Sequence, residues 1–369
     1  MSALPKATNW AVSDFADAEL GDVRRTKRLV ERAHILAQHP TAALPEACGD
    51  GAMLKAAYRF FDTAAIEPQA VLLSHIEATY GRLSKVPLVL AAPDTTAVDW
   101  TAHPAPTGVG PLGHTACQGL LGQSTLVCTA ERLPLGLLAQ QVWARAPDDV
   151  GKRARRKQLP IAQKESHQWL TRLEAVVSAP AECPHTRLVS IGDREADVDD
   201  LLTAAPPPGV ELLLRAAWDR RVRAPERSMW ATVAAQPVVA QLLWQVPRRG
   251  APPAREAMLA LRFCRLTRWP PRHRTAEGVP EVVLWAVQVR EVEPPAQVPP
   301  IEWLLVTTVA VDRVEDAIER VQWYSCRWGL EVWPRILKSG CRIEARQLAT
   351  DERLERCLTL YSVIARRVF

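Results

Sequence analysis

Two short apolar runs, each leading to an aspartate, constrain this chain more than any other feature. Leu88 to Ala92 is wholly apolar and leads to Asp94-Thr95-Thr96; Thr186-Arg-Leu-Val-Ser-Ile-Gly leads to Asp193. Apolar runs this short predict central, buried β-strands. Pro87 is compatible with the first, because proline is accepted where a strand begins. Each strand is expected to deliver its carboxylate at or just past its end. An aspartate there serves either as a turn former or as a site residue, since α/β proteins place their chemistry at strand ends on the rim of the sheet. The fold class that follows is α/β.

With 369 residues the chain is long enough for two or three units, and an apolar content of 48% supports a sizeable core. No apolar run reaches the roughly 18 residues needed to span a membrane, and the N-terminus lacks an apolar signal segment. The eight cysteines are scattered without a CxxC pair. That argues against a zinc finger or a secreted disulfide framework and fits a reducing cytoplasm. The net charge of +5 is mild, but basic residues cluster at Arg24-Arg25-Thr-Lys27-Arg28, at Lys152-Arg153-Ala-Arg155-Arg156-Lys157 and at Arg220-Arg221-Val-Arg223.

Near the C-terminal end, Tyr324, Arg327, Glu331 and Lys338 follow one another at steps of three, four and seven. On a regular helix these steps place all four on one face, with Arg335 nearby. A hydroxyl, cations and one carboxylate do not make a core stripe. They suit a face that offers one metal-binding oxygen among groups that hold phosphates. Asp94, Asp193 and Glu331 are therefore candidate catalytic and metal-binding residues, of the oxygen-donor type that Mg²⁺ prefers. Each is also compatible with a turn or surface role.

Read in order, residues 1–69 predict a helical unit. Leu20-Gly-Asp22 starts a helix whose apolar stripe is Leu29, Val30, Ala33, Leu36 and Ala37, with Arg24, Arg25, Lys27, Arg28 and Arg32 on the opposite face. That face is either solvated or docks on DNA phosphates. Pro40 and Pro45 are breaks, and Met53 to Phe61 is helical again. From residue 70 a catalytic domain begins: a helix over Val71–Leu83, the strand before Asp94, and a meander over Gly119–Cys128 and Pro134–Trp143. A basic loop, a helix from Gln163 and the strand before Asp193 follow. Glu195 and Asp197 suit an acidic first turn of a helix. Residues at about 208–300 form a β-rich insertion, and the strand from Trp303 returns to the main sheet.

Asp94-Thr95-Thr96, Gly192-Asp193-Arg194-Glu195-Ala196-Asp197 and Tyr324-x-x-Arg327-x-x-x-Glu331-x-x-x-x-x-x-Lys338 together resemble the motifs of bacterial cut-and-paste DDE transposases, the insertion-sequence group with the Tyr-Arg-Glu-Lys signature. The resemblance extends to Leu20-Gly-Asp22-x-Arg24-Arg25-Thr26-x-Arg28-Leu29-Val30 and to Ala57-Tyr58-Arg59-Phe60, so it covers nearly the whole chain. It implies a ribonuclease-H-like core in which Asp94, Asp193 and Glu331 hold two Mg²⁺ ions, with Mn²⁺ as a substitute. It further implies cleavage of double-stranded DNA at transposon ends through a hairpin, then strand transfer into target DNA. Tyr324, Arg327 and Lys338 would grip phosphates, and Trp303 and Trp328 match two tryptophans that handle a flipped base. Arg24, Arg25 and Arg28 match the end-recognition segment, and Arg215 a family arginine near the insertion. The location implied is cytoplasmic and nucleoid-associated.

Two departures stand out. Pro334 falls three residues after Glu331, where a proline kinks a helix. Family members also continue beyond the helix that here is Leu354 to Arg367, into a domain that pairs two protomers on two DNA ends. A homodimer in a paired-end complex is the partner expected if that domain were present. The alternative readings are a truncated, inactive DNA-binding remnant that inhibits full-length partners, and a structure-specific nuclease on the same fold.

Overall fold

The computed structural model describes residues 9–103, 106–113, 116–147, 167–203, 208–246, 248, 254–271, 278–330 and 332–368. The first eight residues, the basic loop Lys152–Lys157, residues 163–166 and Glu331 lie outside these. The first half of the chain runs α1 (Trp10–Phe15), α2 (Val23–Gln38), α3 (Leu44–Cys48), α4 (Gly51–Asp62), α5 (Pro68–Leu83), β1 (Leu88–Asp99), β2 (Gly110–Pro111), β3 (Gln118–Cys128), β4 (Pro134–Trp143) and α6 (His167–Glu182). The second half runs β5 (Arg187–Gly192), α7 (Asp199–Thr203), β6 (Val210–Arg215), α8 (Met229–Ala234), β7 (Ala240–Val246), β8 (Arg255–Arg268), β9 (Val282–Glu291), β10 (Glu302–Thr307), α9 (Val314–Leu330), α10 (Val332–Arg335) and α11 (Asp351–Val368). They fall into two compact units, the first comprising Met1–Lys164, Ala181–Thr186 and Trp328–Phe369, the second Glu165–Pro180 and Arg187–Arg327.

In the first unit α2 starts where expected. Asp22 is its N-cap, accepting a hydrogen bond from the Arg24 N–H at 2.8 Å, which satisfies one of the orphan donors of the first turn. Leu29, Ala33 and Leu36 are buried. Arg32, expected on the outer face, is buried too, because it lies three residues from Leu29 and four from Leu36, on the inner stripe. Its Nη1 donates to the Met53 carbonyl at 3.2 Å. Pro45, expected to break the chain, sits in the first turn of α3 instead, where its missing N–H costs nothing.

The meander is antiparallel: β1 pairs with β3, and β3 with β4. Helix α11 carries much of the core, burying Leu354, Leu358, Leu360, Tyr361, Val363 and Ile364. Its neighbourhood is closed by Arg346, whose guanidinium donates to the carbonyls of Ala42, Pro40 and Cys341 at 2.5, 2.8 and 2.6 Å and lies over the Tyr361 ring. Acceptors at both terminal nitrogens are what make a buried arginine tolerable here.

In the second unit β5 and β6 are parallel, with Gly192 opposite Leu214. β10 joins β6 antiparallel and continues through β9, β8 and β7. The β-rich segment at 208–300 thus extends the same sheet as β5, and it contains one helix, α8, that its apolar runs did not announce. Helix α9 is followed in the chain by α10. Ile336–Gly340 is a π-helical turn, so the regular 3.6-residue step expected from Tyr324 to Lys338 does not continue past Arg335. Pro334 has no N–H to offer the helical ladder, and a π turn is where an interrupted ladder accommodates such a change. All eight cysteines are free. Among the described residues no helix is long and apolar enough to cross a membrane.

Candidate active site and nucleic-acid interface

The sequence motif Gly192-Asp193-Arg194-Glu195-Ala196-Asp197 turns out to be a small mechanical assembly at the carboxyl end of β5. A Cβ on Gly192 would stand 2.3 Å from the Ala196 Cβ and 2.7 Å from Leu214 Cδ2, so only glycine fits there. Ala196 is fully buried. Asp193 follows the last strand residue, as expected, and its Oδ1 accepts the Glu195 N–H at 2.8 Å, closing an Asx turn. The side chain stays half-exposed. Asp197, expected to serve only a helix first turn, is 1% exposed. Its Oδ2 accepts the N–H groups of Ala217 and Trp218 at 2.6 and 3.1 Å, and Arg220 Nη1 at 2.6 Å. It therefore ties the loop after β5 to the loop after β6. Asp199 extends the network to Arg220 and to the buried Arg268. The one hint in the sequence was charge complementarity, an acidic Asp193–Asp200 against the basic Arg220–Arg223.

Because β5 and β6 are parallel and in register, Asp193 and Arg215 leave their strands at the same rim. In open α/β sheets that rim is the usual location of ligand sites. Arg215 Nη2 donates to the Glu302 carbonyl at 3.0 Å. Burial pushes the Arg215 guanidinium below its ordinary value; Tyr324 offsets part of this, while Arg194 and Arg327 act in the same direction as burial. Arginine nevertheless remains charged, so Arg194, Arg215 and Arg327 repel one another electrostatically. Arg327 lies over the Tyr324 ring at 5.7 Å.

Tyr324 is fully buried and Trp303 is 3% exposed. Their rings meet at 5.6 Å, and Trp244, which no motif marked, packs edge-on against Trp303 at 5.6 Å. The Tyr324 ring thus has Trp303 against it and the Arg327 guanidinium over it. Trp328, on the last turn of α9, is half-buried.

In the first unit β1 runs on past the expected end, so Asp94 lies mid-strand opposite Ser124 instead of at a terminus. The ladder to β3 carries the strand through Thr95 and Thr96, both strand formers, as far as Asp99. Asp94 is exposed. Farther along, the Glu344 carboxylate Oε1 accepts the Asp99 N–H at 3.1 Å and pairs with Lys338 Nζ at 3.1 Å. The hydroxyl and N–H of Thr101 hold the Asp99 carboxyl below its ordinary range, with Lys338 adding to the effect. Arg335 is exposed. Among the described residues no cluster of three or more His, Cys, Asp or Glu is placed to hold a metal; Glu331 is not one of those residues.

On the helical segment Arg24, Lys27 and Arg28 are exposed and Arg25 is half-buried, its Nη1 donating to the Leu20 carbonyl at 2.8 Å. The outer face of α2 is therefore a row of solvated cations, held on a capped helix.

Residues 7–66, the segment spanning α1 to α4, match the family model described as "Transposase DNA-binding". Among solved structures, the chain aligns with a piggyBac transposase synaptic complex with hairpin DNA, determined by cryo-EM, at 8% identity and a TM-score of 0.38, covering 99% of this chain and 79% of that one. A similarity of that degree sets neither fold nor function.

Proposed function

We propose that this chain is a DNA transposase of the DDE type, with a ribonuclease-H-like catalytic core that cleaves double-stranded DNA at transposon ends. The observation that carries the reading is the match of residues 7–66 to a transposase DNA-binding model, on a segment whose α2 exposes Arg24, Lys27 and Arg28. Cations so placed neutralise backbone phosphates and position the duplex without reading its sequence.

Asp94, Asp193 and Glu331 are the proposed catalytic residues. Asp94 is exposed and Asp193 half-exposed, and both offer the hard oxygen donors suited to Mg²⁺ or Mn²⁺. Two such ions, when bound, supply an activated water and neutralise charge on the leaving oxygen of an in-line displacement at phosphorus. The chain's own part is positioning. Arg215 and Arg327, the latter over the Tyr324 ring, offer cations to a phosphate, and Arg194 adds a third. Lys338 exchanges its Glu344 partner for a phosphate when DNA is bound, and Arg335 and Trp328 contact the same strand. Water then attacks one strand, and the released 3′-hydroxyl attacks the opposite strand to give a hairpin end. Reopening of that end and strand transfer into target DNA follow.

The test uses the purified chain and duplexes built from the inverted repeats flanking its gene. Divalent-dependent nicking that yields a 3′-hydroxyl, lost in Asp193→Asn, Asp94→Asn and Glu331→Gln while DNA affinity stays within about twofold of wild type, supports the reading. Nicking that survives in all three variants would overturn the catalytic assignment. Absence of DNA binding would overturn the function.

A further inference from the structure

Of the thirteen tryptophans, all among the described residues, Trp218 alone is exposed; its side chain is 67% accessible, and the other twelve are buried or half-buried. An indole left in water forgoes the burial that makes tryptophan valuable in a core, so an isolated exposed one on a rigid support invites a functional explanation. The support here is rigid. The Trp218 N–H and the Ala217 N–H both bond to Asp197, a carboxylate that is itself 1% exposed and further held by Arg220. On the far side of the loop, Asp219 accepts the Ser228 hydroxyl at 2.7 Å and the Trp230 N–H at 3.2 Å. Both ends of the residue are thus fixed while its ring is left outside.

Its surroundings suggest what the ring meets. Trp218 lies three residues beyond Arg215, at the carboxyl rim where β5 delivers Asp193 and where Arg194 and Arg215 stand as neighbouring cations. Other charges along the loop are engaged elsewhere: Arg220 with Asp197 and Asp199, Arg221 over the Trp269 ring, and Arg223 with Glu281. A flat apolar ring on the same rim as cations would suit the two faces of a nucleotide, with the base stacking on the indole and the backbone phosphate drawn to the guanidinium groups.

We propose that Trp218 is a base-stacking residue, taking an unpaired DNA base at the rim where Asp193 and Arg215 meet. This rests on the DNA-processing function proposed above and adds a contact to it. The physical consequence is a preference for DNA containing an unpaired or unstacked base, since a base within an intact duplex has no open face to offer.

The experiment compares wild type, Trp218→Ala and Trp218→Phe on two oligonucleotides, a fully paired duplex and the same duplex with one unpaired 2-aminopurine. Binding is read by anisotropy and stacking by quenching of the 2-aminopurine fluorescence. Wild type and Trp218→Phe are expected to quench the probe, and Trp218→Ala is not. Trp218→Ala should weaken binding to the unpaired-base DNA roughly tenfold or more, with paired-duplex affinity changed less than about twofold. Because the ring is exposed, thermal unfolding of both variants should match wild type. Unchanged quenching and affinity in Trp218→Ala, with wild type still binding the paired duplex, would overturn the Trp218 assignment alone. A wild type that binds neither DNA would overturn the functional reading along with it. If Trp218→Ala instead dissociates a protein oligomer in light scattering and leaves DNA binding intact, the ring is a protein contact and the proposal fails.

Discussion

Nδ1 of His75 lies 3.1 Å from Oδ2 of Asp14, and both side chains are buried. His75 Nε2 accepts the Leu137 N–H at 3.1 Å, which fixes the neutral tautomer with its proton on Nδ1. Arg82 reaches Asp14 Oδ1 at 2.6 Å and the Leu135 carbonyl at 2.6 Å. This network joins α1, α5 and β4 in the first unit.

It predicts an acid-sensitive fold. Burial pushes the His75 pKa below its ordinary value, more strongly than the Asp14 bond raises it. Burial raises the Asp14 carboxyl, but His75 and Arg82 together outweigh that and bring it to about 2. The unfolded chain therefore binds more protons in both windows, so stability rises with pH in each. The neutral His75 contribution is complete above the unfolded value of about 6.5 and is lost below it. The Asp14 contribution is complete above about 4 and is lost between about 4 and 2. The melting temperature should fall from pH 7 toward pH 5, and His75→Gln should flatten that limb and also shrink the limb below pH 4, because Asp14 loses one of the two partners that lower it. Thermal unfolding across pH, wild type against variant, checks this.

Removing the Asp197 carboxylate should loosen the second unit. Asp197→Ala leaves two N–H groups and the Arg220 cation without their buried acceptor, a change of the kind that costs about 3 to 5 kcal/mol. Arg220→Ala should destabilise as well, and a double-mutant cycle should show a coupling energy above about 1 kcal/mol. Chemical denaturation of the four proteins measures it; simple additivity would show that the two side chains act separately.

Gly192→Ala should disturb both stability and the site. The added methyl overlaps Ala196 and Leu214, and overpacking of that kind costs about 1 to 3 kcal/mol. Because Asp193 is the next residue, DNA cleavage should fall by far more than the unfolded fraction accounts for. Nicking rates and urea unfolding measured on one preparation separate the two effects.

The basic helix predicts a contrast between outer and inner arginines. Replacing Arg24, Lys27 and Arg28 with alanine should weaken binding to all duplexes alike and reduce the salt slope by about one for each phosphate no longer neutralised. Arg32→Ala should instead lower stability with little change in salt slope, because Arg32 is buried beside Met53. Asp22→Ala should cost about 1 kcal/mol of stability through the missing cap. Affinity against salt concentration and thermal unfolding distinguish the three outcomes.

Much of the chain is legible locally. Pro134–Trp143 matches its expected strand, and the start of α2 follows from Asp22. Asp193 falls where its apolar run ends. The differences arise where one local pattern competes with another, or with a partner elsewhere in the chain. A charge run points Arg32 outward, although its helical phase with Leu29 and Leu36 places it inward. The end of an apolar run points Asp94 to a strand terminus, whereas the ladder to β3 goes on through polar threonines. Regular spacing puts Tyr324 and Lys338 on one helical face, which the π turn after Pro334 interrupts.

The sequence by itself determined where most strands and helices arise, where α2 begins, and that Asp193 follows an apolar strand. These depend on periodicity and capping, which act within a few residues. Only the tertiary structure decided that Tyr324 and Trp303 are buried, that Asp197 holds the loop after β6, and that Trp218 alone of the tryptophans faces water. Whether a ring is covered depends on elements distant in the chain, and a buried carboxylate is stable only where such elements bring donors to it.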